Sequence, residues 1–191
     1  MIIKKVSKRT RLWRRIHRWI ASILFVFFFI VSITGLLLTW KKNSKGYLLA
    51  KSYSGTSTDL GKWLSFDSLT NIAVRSLKDS VGPNISTSLD RIDARPDKGM
   101  VKFVFVEDYW AVQLDASTGK LLHLEKRRAD FIENLHDGSY LDKLFGTKEQ
   151  PFKLGYASIM AISLFMLTLS GFWLWYNPKR IRKQKHLAHH D

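Results

Sequence analysis

Six histidines, His17, His123, His136, His186, His189 and His190, are the residues of this sequence best suited to chemistry, because a neutral imidazole nitrogen binds transition metals and haem iron. Two of them stand at the edges of long apolar runs. His17 lies two residues before an uncharged stretch, Trp19 to Trp40, and on a helix it shares one stripe with Ala21, Leu24, Phe28, Val31 and Gly35. Small residues on that stripe let a flat macrocycle or a second helix approach. The competing reading is an interfacial histidine in a basic cluster that meets lipid phosphate. His136 falls in DFIENLHDGSYLDKLF, where Phe131, Ile132 and Leu135 form an apolar face and Asp137-Gly138 stop the helix. It can reach a haem edge with Asp137 or Tyr140 orienting its second nitrogen, or it can satisfy the last carbonyls of its helix.

The other histidines offer less. His123 sits in a strand-like run and reads as a surface or half-buried position. His186, His189 and His190 fall at i, i+3 and i+4 of a basic terminal segment, which suits a disordered or lipid-facing tail better than a metal site. There is no HExxH, GxSxG, phosphate-loop or GxGxxG pattern, and no cysteine, so thiol chemistry, iron–sulfur ligation, disulfides and covalently attached haem c are excluded.

The positioning elements are membrane helices. The run WIASILFVFFFIVSITGLLLTW, residues 19–40, has 22 residues without a charge. At ~1.5 Å per residue it spans roughly 33 Å, enough for a ~30 Å hydrocarbon core. It continues to Trp40 without an A-x-A cleavage pattern, so an uncleaved helix is expected rather than a signal peptide. LGYASIMAISLFMLTLSGFWLWY, residues 154–176, is equally uncharged over 23 residues. Its Ala157, Ala161, Thr168 and Gly171 form a small-residue stripe suited to helix packing, and neither run carries a charge that would suggest transport.

Charge orients the chain. Of a net +15, residues 1–18 contribute eight basic and no acidic side chains, and residues 178–191 five basic and one acidic. Basic residues piled beside apolar runs mark a membrane protein and not a nucleic-acid binder. Short basic segments stay in the cytoplasm, so both the 1–18 segment and the 177–191 tail are expected in the cytoplasm and residues 41–153 outside it.

Within 41–153 the segment 41–63 reads as irregular with one short strand. Residues 65–80 place Phe66, Leu69, Ala73 and Leu77 at helical spacing behind a Ser65 N-cap. Beyond Gly82-Pro83 the period changes to two. LDRIDAR, MVKFVFV, YWAVQLD and KLLHLEK, separated by short turns, predict an antiparallel meander whose Trp110, Val112 and Leu114 face the helix. An interfacial helix is expected near 128–145. The fold class is therefore a membrane protein of α+β type, with two transmembrane helices flanking a helix-plus-meander domain.

The helix and meander, with VQLDASTGKLLHLE, resemble the PepSY domain, and RRIHRWIASILFVFFFIVSITGLLL and NLHDGSYLDKLFG followed by SGFWLWYNP resemble the transmembrane proteins that carry it. The resemblance runs from about Trp13 to Pro178. It implies a bacterial inner-membrane protein with a periplasmic domain. Larger members include ferric-siderophore reductases, in which four transmembrane helices hold b-type haem through histidines. In this chain that implies haem b on His17 and His136, and electron transfer toward a periplasmic acceptor such as a ferric siderophore. The alternative is a non-enzymatic anchor, a regulatory or accessory subunit of a larger membrane complex. His17 and His136 are expected at opposite faces of a roughly 30 Å bilayer, while the two axial ligands of one haem lie about 4 Å apart, at the ~2 Å of metal–imidazole bonds. They cannot share a haem. Each would take its partner from an equivalent histidine in a homo-oligomer or from another subunit.

Overall fold

A computed structural model describes residues 2–187, with side chains over 9–182. Five helices and four strands follow in the order α1 (Ile2–Thr39), α2 (Phe66–Val81), β1 (Leu89–Arg95), β2 (Met100–Phe105), β3 (Trp110–Asp115), β4 (Leu121–Lys126), α3 (Arg128–Asp137), α4 (Ser139–Phe145) and α5 (Pro151–Leu187). They group into two compact units, Leu36–Glu133 and the combination of Met1–Gly35 with Asn134–Asp191.

In the Leu36–Glu133 unit the meander is as predicted, a sheet of order β1-β2-β3-β4 with every neighbour antiparallel. Ser65 caps α2 by accepting from the Ser68 amide. Leu69, Ala73 and Leu77 of α2 pack on Val101, Phe103 and Phe105 of β2 and on Val112 and Leu114 of β3, forming the core. Phe66 departs from its expected place and is exposed, because at the first helical position it precedes the turn that meets the sheet.

The opposite face of the sheet is polar and carries Lys102, Gln113, Asp115 and Glu125, all buried. Burying such groups is tolerable only where each finds a partner. The partner is the extended segment 48–57. Glu125 accepts from the Ala50 amide at 2.9 Å, Gln113 accepts from the Tyr53 amide and donates to the Lys51 carbonyl, both at 3.0 Å, and Asp115 accepts from the Thr56 amide at 2.9 Å. Lys102 Nζ lies 2.7 Å from Glu125 with both side chains below a tenth exposed. The short strand expected in 41–63 is therefore absent. Its backbone groups bond to side chains instead of to a strand ladder, and two 3-10 turns, Lys41–Asn43 and Leu60–Lys62, complete it.

In the other unit α1 and α5 are long, apolar helices. Arg9–Thr39 and Pro151–Arg182 are 31 and 32 residues, and only 6% and 11% of their apolar windows are buried within the chain. Neither is the core helix of a soluble protein, so their apolar side chains face a membrane. The basic segments before and after the apolar runs continue these helices, and α5 runs through Pro178. The interfacial helix expected near 128–145 is two helices, α3 and α4, divided at Gly138. Its φ of +82° is left-handed, and a Cβ there would lie 2.8 Å from Tyr156, so only glycine fits.

Asp115 gives the soluble unit a pH dependence. Burial alone would raise its carboxyl, but hydrogen bonds from Ser117, Thr56 and Thr118 outweigh that and hold it well below the usual carboxylate range. A depressed folded-state value stabilises fully above the unfolded value of about 3.9 and is lost as pH falls through the folded one. Thermal melts in detergent are expected to show stability declining below about pH 4. Asp115→Asn, which turns an amide nitrogen toward donors, should lower stability at neutral pH by about 1–3 kcal/mol, with the difference from wild type narrowing in acid.

Candidate functional site

The antiparallel register of α1 and α5 is written in side-chain contacts. Near the N-terminus of α1, Asn177 Nδ2 donates to Thr10 Oγ1 at 2.6 Å, both residues being buried. About two turns further on, His17 Nδ1 lies 2.8 Å from Ser170 Oγ. Later still, Phe27 meets Tyr156 edge to face at 6.2 Å between centroids. The His17 stripe, with Ala21, Leu24, Phe28, Val31 and Gly35, is half-buried along its length, as the helical period predicts.

On α5 the small-residue stripe is not the packed face. Ala157, Ala161 and Thr168 are exposed, whereas Tyr156, Met160, Ser163, Leu167, Ser170, Gly171 and Asn177 are buried or half-buried. Polar pairing explains the choice: Ser170 and Asn177 each have a partner on α1, and turning the alanine stripe inward would leave both facing hydrocarbon.

His136 stands in the last turn of α3 and is held in the same manner by α1. Its Nδ1 is 2.8 Å from Thr34 Oγ1, and Thr34 is 5% exposed. Asp137 does not take the orienting role expected of it. Asp137 instead accepts from the Ser139 hydroxyl at 2.6 Å and pairs with Lys153 at 2.8 Å. Burial would raise the Asp137 carboxyl, but Lys153 and Ser139 outweigh it and hold it low, so it remains a charged anchor beside the start of α5.

The two histidines thus share one local design. Each ring lies against a hydroxyl-glycine pair on a long helix, His136 on Thr34-Gly35 and His17 on Ser170-Gly171. A Cβ on Gly35 would be 3.4 Å from His136 Cε1, and one on Gly171 would be 3.8 Å from His17 Cε1. The surroundings repeat in sequence, ITGLLLTW at 33–40 and LSGFWLWY at 169–176. In both rings Nδ1 is engaged and Nε2 has no partner among the described residues. The structure does not bring His17 and His136 together, since Thr34 lies 17 residues beyond His17, about 25 Å along α1.

Beside His17 an open surface of α1 presents Arg14, Arg18, Ala21, Ser22 and Phe25 together with the imidazole. On α5, Trp173 Nε1 is a buried donor with no acceptor among the described residues. His123 is half-buried in β4 and packs against Tyr53 with ring centroids 4.9 Å apart and planes tilted by 33°, a packing role. His186 is in the last turn of α5 with its side chain undescribed, and His189 and His190 lie outside the described residues. No cluster of three or more His, Asp or Glu suited to a metal ion occurs among the described residues.

Thr34 and Ser170 were not singled out from sequence, although each sits in a short signature, Thr-Gly and Ser-Gly, that marked the ends of the two runs. In comparison with known families, the family model described as PepSY-associated TM region matches residues 14–190. No curated protein matches the chain.

The close approach of ring to glycine is directly testable. Gly35→Ala and Gly171→Ala should be neutral to slightly stabilising, because a methyl is accommodated and a helical glycine is removed. Gly35→Leu and Gly171→Leu should each destabilise by about 1–3 kcal/mol through overpacking, read as unfolding midpoints in detergent.

Proposed function

The chain belongs to the PepSY-associated TM family, and from that premise we propose that it is a haem b electron-transfer protein of the bacterial inner membrane. It serves an acceptor on the periplasmic side, such as a ferric siderophore. The observation that carries this reading is the pair of boundary histidines, each with Nδ1 held by a hydroxyl and Nε2 left over for a ligand.

The residues present suit haem. His17 and His136 would hold the iron, and hydroxyl partners keep their rings in place. On the open surface beside His17, Ala21 and Phe25 offer apolar contact, while Arg14 and Arg18 offer charge for carboxylates. Bound haem supplies a one-electron iron couple within the membrane, which no side chain of this cysteine-free chain provides. The protein's part is to fix two imidazoles at separate depths, to exclude water with exposed leucine, isoleucine and phenylalanine side chains facing lipid, and to hold the carboxylates by arginine.

Since His17 and His136 are well separated, a second histidine for either site would come from another copy of the chain or from a partner subunit, and closed two-fold symmetry would supply such pairs directly. The eight and five basic residues of the two ends support a cytoplasmic side for both.

Purification in mild detergent from cells fed a haem precursor is expected to give a Soret band that shifts on dithionite reduction, and His17→Ala and His136→Ala should each remove about half of the haem if the two sites are independent. A colourless preparation overturns the reading in favour of a non-enzymatic anchor or accessory subunit. For topology, a reporter active only in the periplasm should stay silent when fused after Asn177.

A further inference from the structure

A hydroxyl carries one hydrogen, and that count bears on which atom supplies the hydrogen in each histidine contact. Thr34 Oγ1 lies 2.7 Å from the Ile30 carbonyl oxygen and 3.2 Å from that of Val31, as well as 2.8 Å from His136 Nδ1. Carbonyl oxygens only accept, so the Thr34 proton is donated along its own helix. What Oγ1 presents to the ring is a lone pair, and the hydrogen in the 2.8 Å contact comes from Nδ1. Ser170 repeats the pattern, with Oγ 3.1 Å from the Leu167 carbonyl oxygen and 2.8 Å from His17 Nδ1.

The opposite assignment points each hydroxyl at the ring. It leaves an oxygen–oxygen contact of 2.7 Å at Thr34 without a hydrogen, in a residue 5% exposed, and Ser170 is fully buried. Unmade hydrogen bonds in buried, water-free surroundings are the more expensive alternative.

We infer that Thr34 and Ser170 are positioning residues that fix His136 and His17 as the Nδ1–H tautomer, leaving the lone pair of each ring on Nε2. The inference deepens the haem reading, on which its functional use rests. An imidazole that donates Nδ1–H to a fixed oxygen presents Nε2 as the metal-binding atom, in one orientation and without a tautomeric shift on binding. The adjoining Gly35 and Gly171 lie against the rings, with room there for no more than a methyl group.

The assignment is tested on the full chain, with ¹⁵N-labelled histidine, in lipid nanodiscs, from cells unable to make haem. Long-range ¹⁵N–¹H correlation spectra read which ring nitrogen bears the hydrogen. His17 and His136 are expected to show a protonated Nδ1 and an unprotonated Nε2. Thr34→Val should abolish this pattern at His136 and leave His17 unchanged, Ser170→Ala should do the reverse, and Thr34→Ser should keep it. The unaltered ring in each variant shows that the protein remains folded. A hydrogen on Nε2 of the wild-type rings, whether or not Nδ1 is also protonated, overturns the inference, as does a Thr34→Val protein whose His136 signal is unchanged. Absorption after adding haem separates this from the function. The inferred tautomers with no Soret band sustain the assignment and overturn the haem reading, while a Soret band with Nε2–H rings in the haem-free protein does the opposite. Where haem binds, Thr34→Val should weaken its affinity at the His136 site by about 10- to 100-fold.

Discussion

A polar side chain in hydrocarbon has no water to bond with, so it must find another protein group or pull its helix out of place. The membrane unit of this protein is organised by that constraint. Its two long helices are apolar nearly all round, and lipid competes equally for every leucine and phenylalanine, so apolar burial does not select one face over another. The few polar atoms do: Thr10 with Asn177, His17 with Ser170, and Thr34 with His136. These contacts fix which helix faces meet and at what register. Each is worth roughly 0.6–2 kcal/mol in a bilayer, modest singly but directional, and any rotation of α5 would break more than one of them.

The soluble unit answers the same constraint differently. One face of its sheet buries an ordinary apolar core under α2. The other buries a charged pair and two further polar side chains, and the chain supplies backbone amides and carbonyls from 48–57 to satisfy them. A lysine–carboxylate pair so enclosed is weak as a source of stability, yet removing one partner strands the other charge at roughly 3–5 kcal/mol. Its effect is to make the position of the covering segment specific, since a shifted strap would leave Glu125 and Gln113 without their partners.

These two modes explain what the sequence revealed and what it hid. The spans, the capped helix and the four-strand meander were legible because each repeats a period or a run: twenty-two and twenty-three uncharged residues, apolar positions at helical spacing, alternation at two. The His17 stripe was legible for the same reason. The packed face of α5 was not, because small residues suggest close approach while the deciding groups, Ser170 and Asn177, look unremarkable in isolation. Nor was the strap, whose hydrogen bonds reach side chains 59 to 75 residues away and leave no local pattern. For His136, neighbours in sequence, Asp137 and Tyr140, were natural candidates to orient the ring, whereas its partner Thr34 lies 102 residues distant. The recurrence of threonine-glycine and serine-glycine at matching points of the two runs was the one signal that could have revealed both partners.

The two histidine sites, alike in local design, differ in what holds the imidazole. His17 projects from the middle of an unbroken α1, so its backbone is fixed on both sides and only the side chain is free to turn. His136 is the last residue but one of α3, two before a left-handed glycine, Gly138, that no other residue can replace because of Tyr156. Its backbone is anchored on one side by the helix and on the other by Asp137, which bonds Ser139 and Lys153. Displacing α3 therefore breaks the contact of His136 with Thr34, whereas His17 moves only with its whole helix. Of the two, the His136 site is the one whose ring position answers to the chain that leads into it, and the His17 site is the fixed one, tied to the register of α1 and α5.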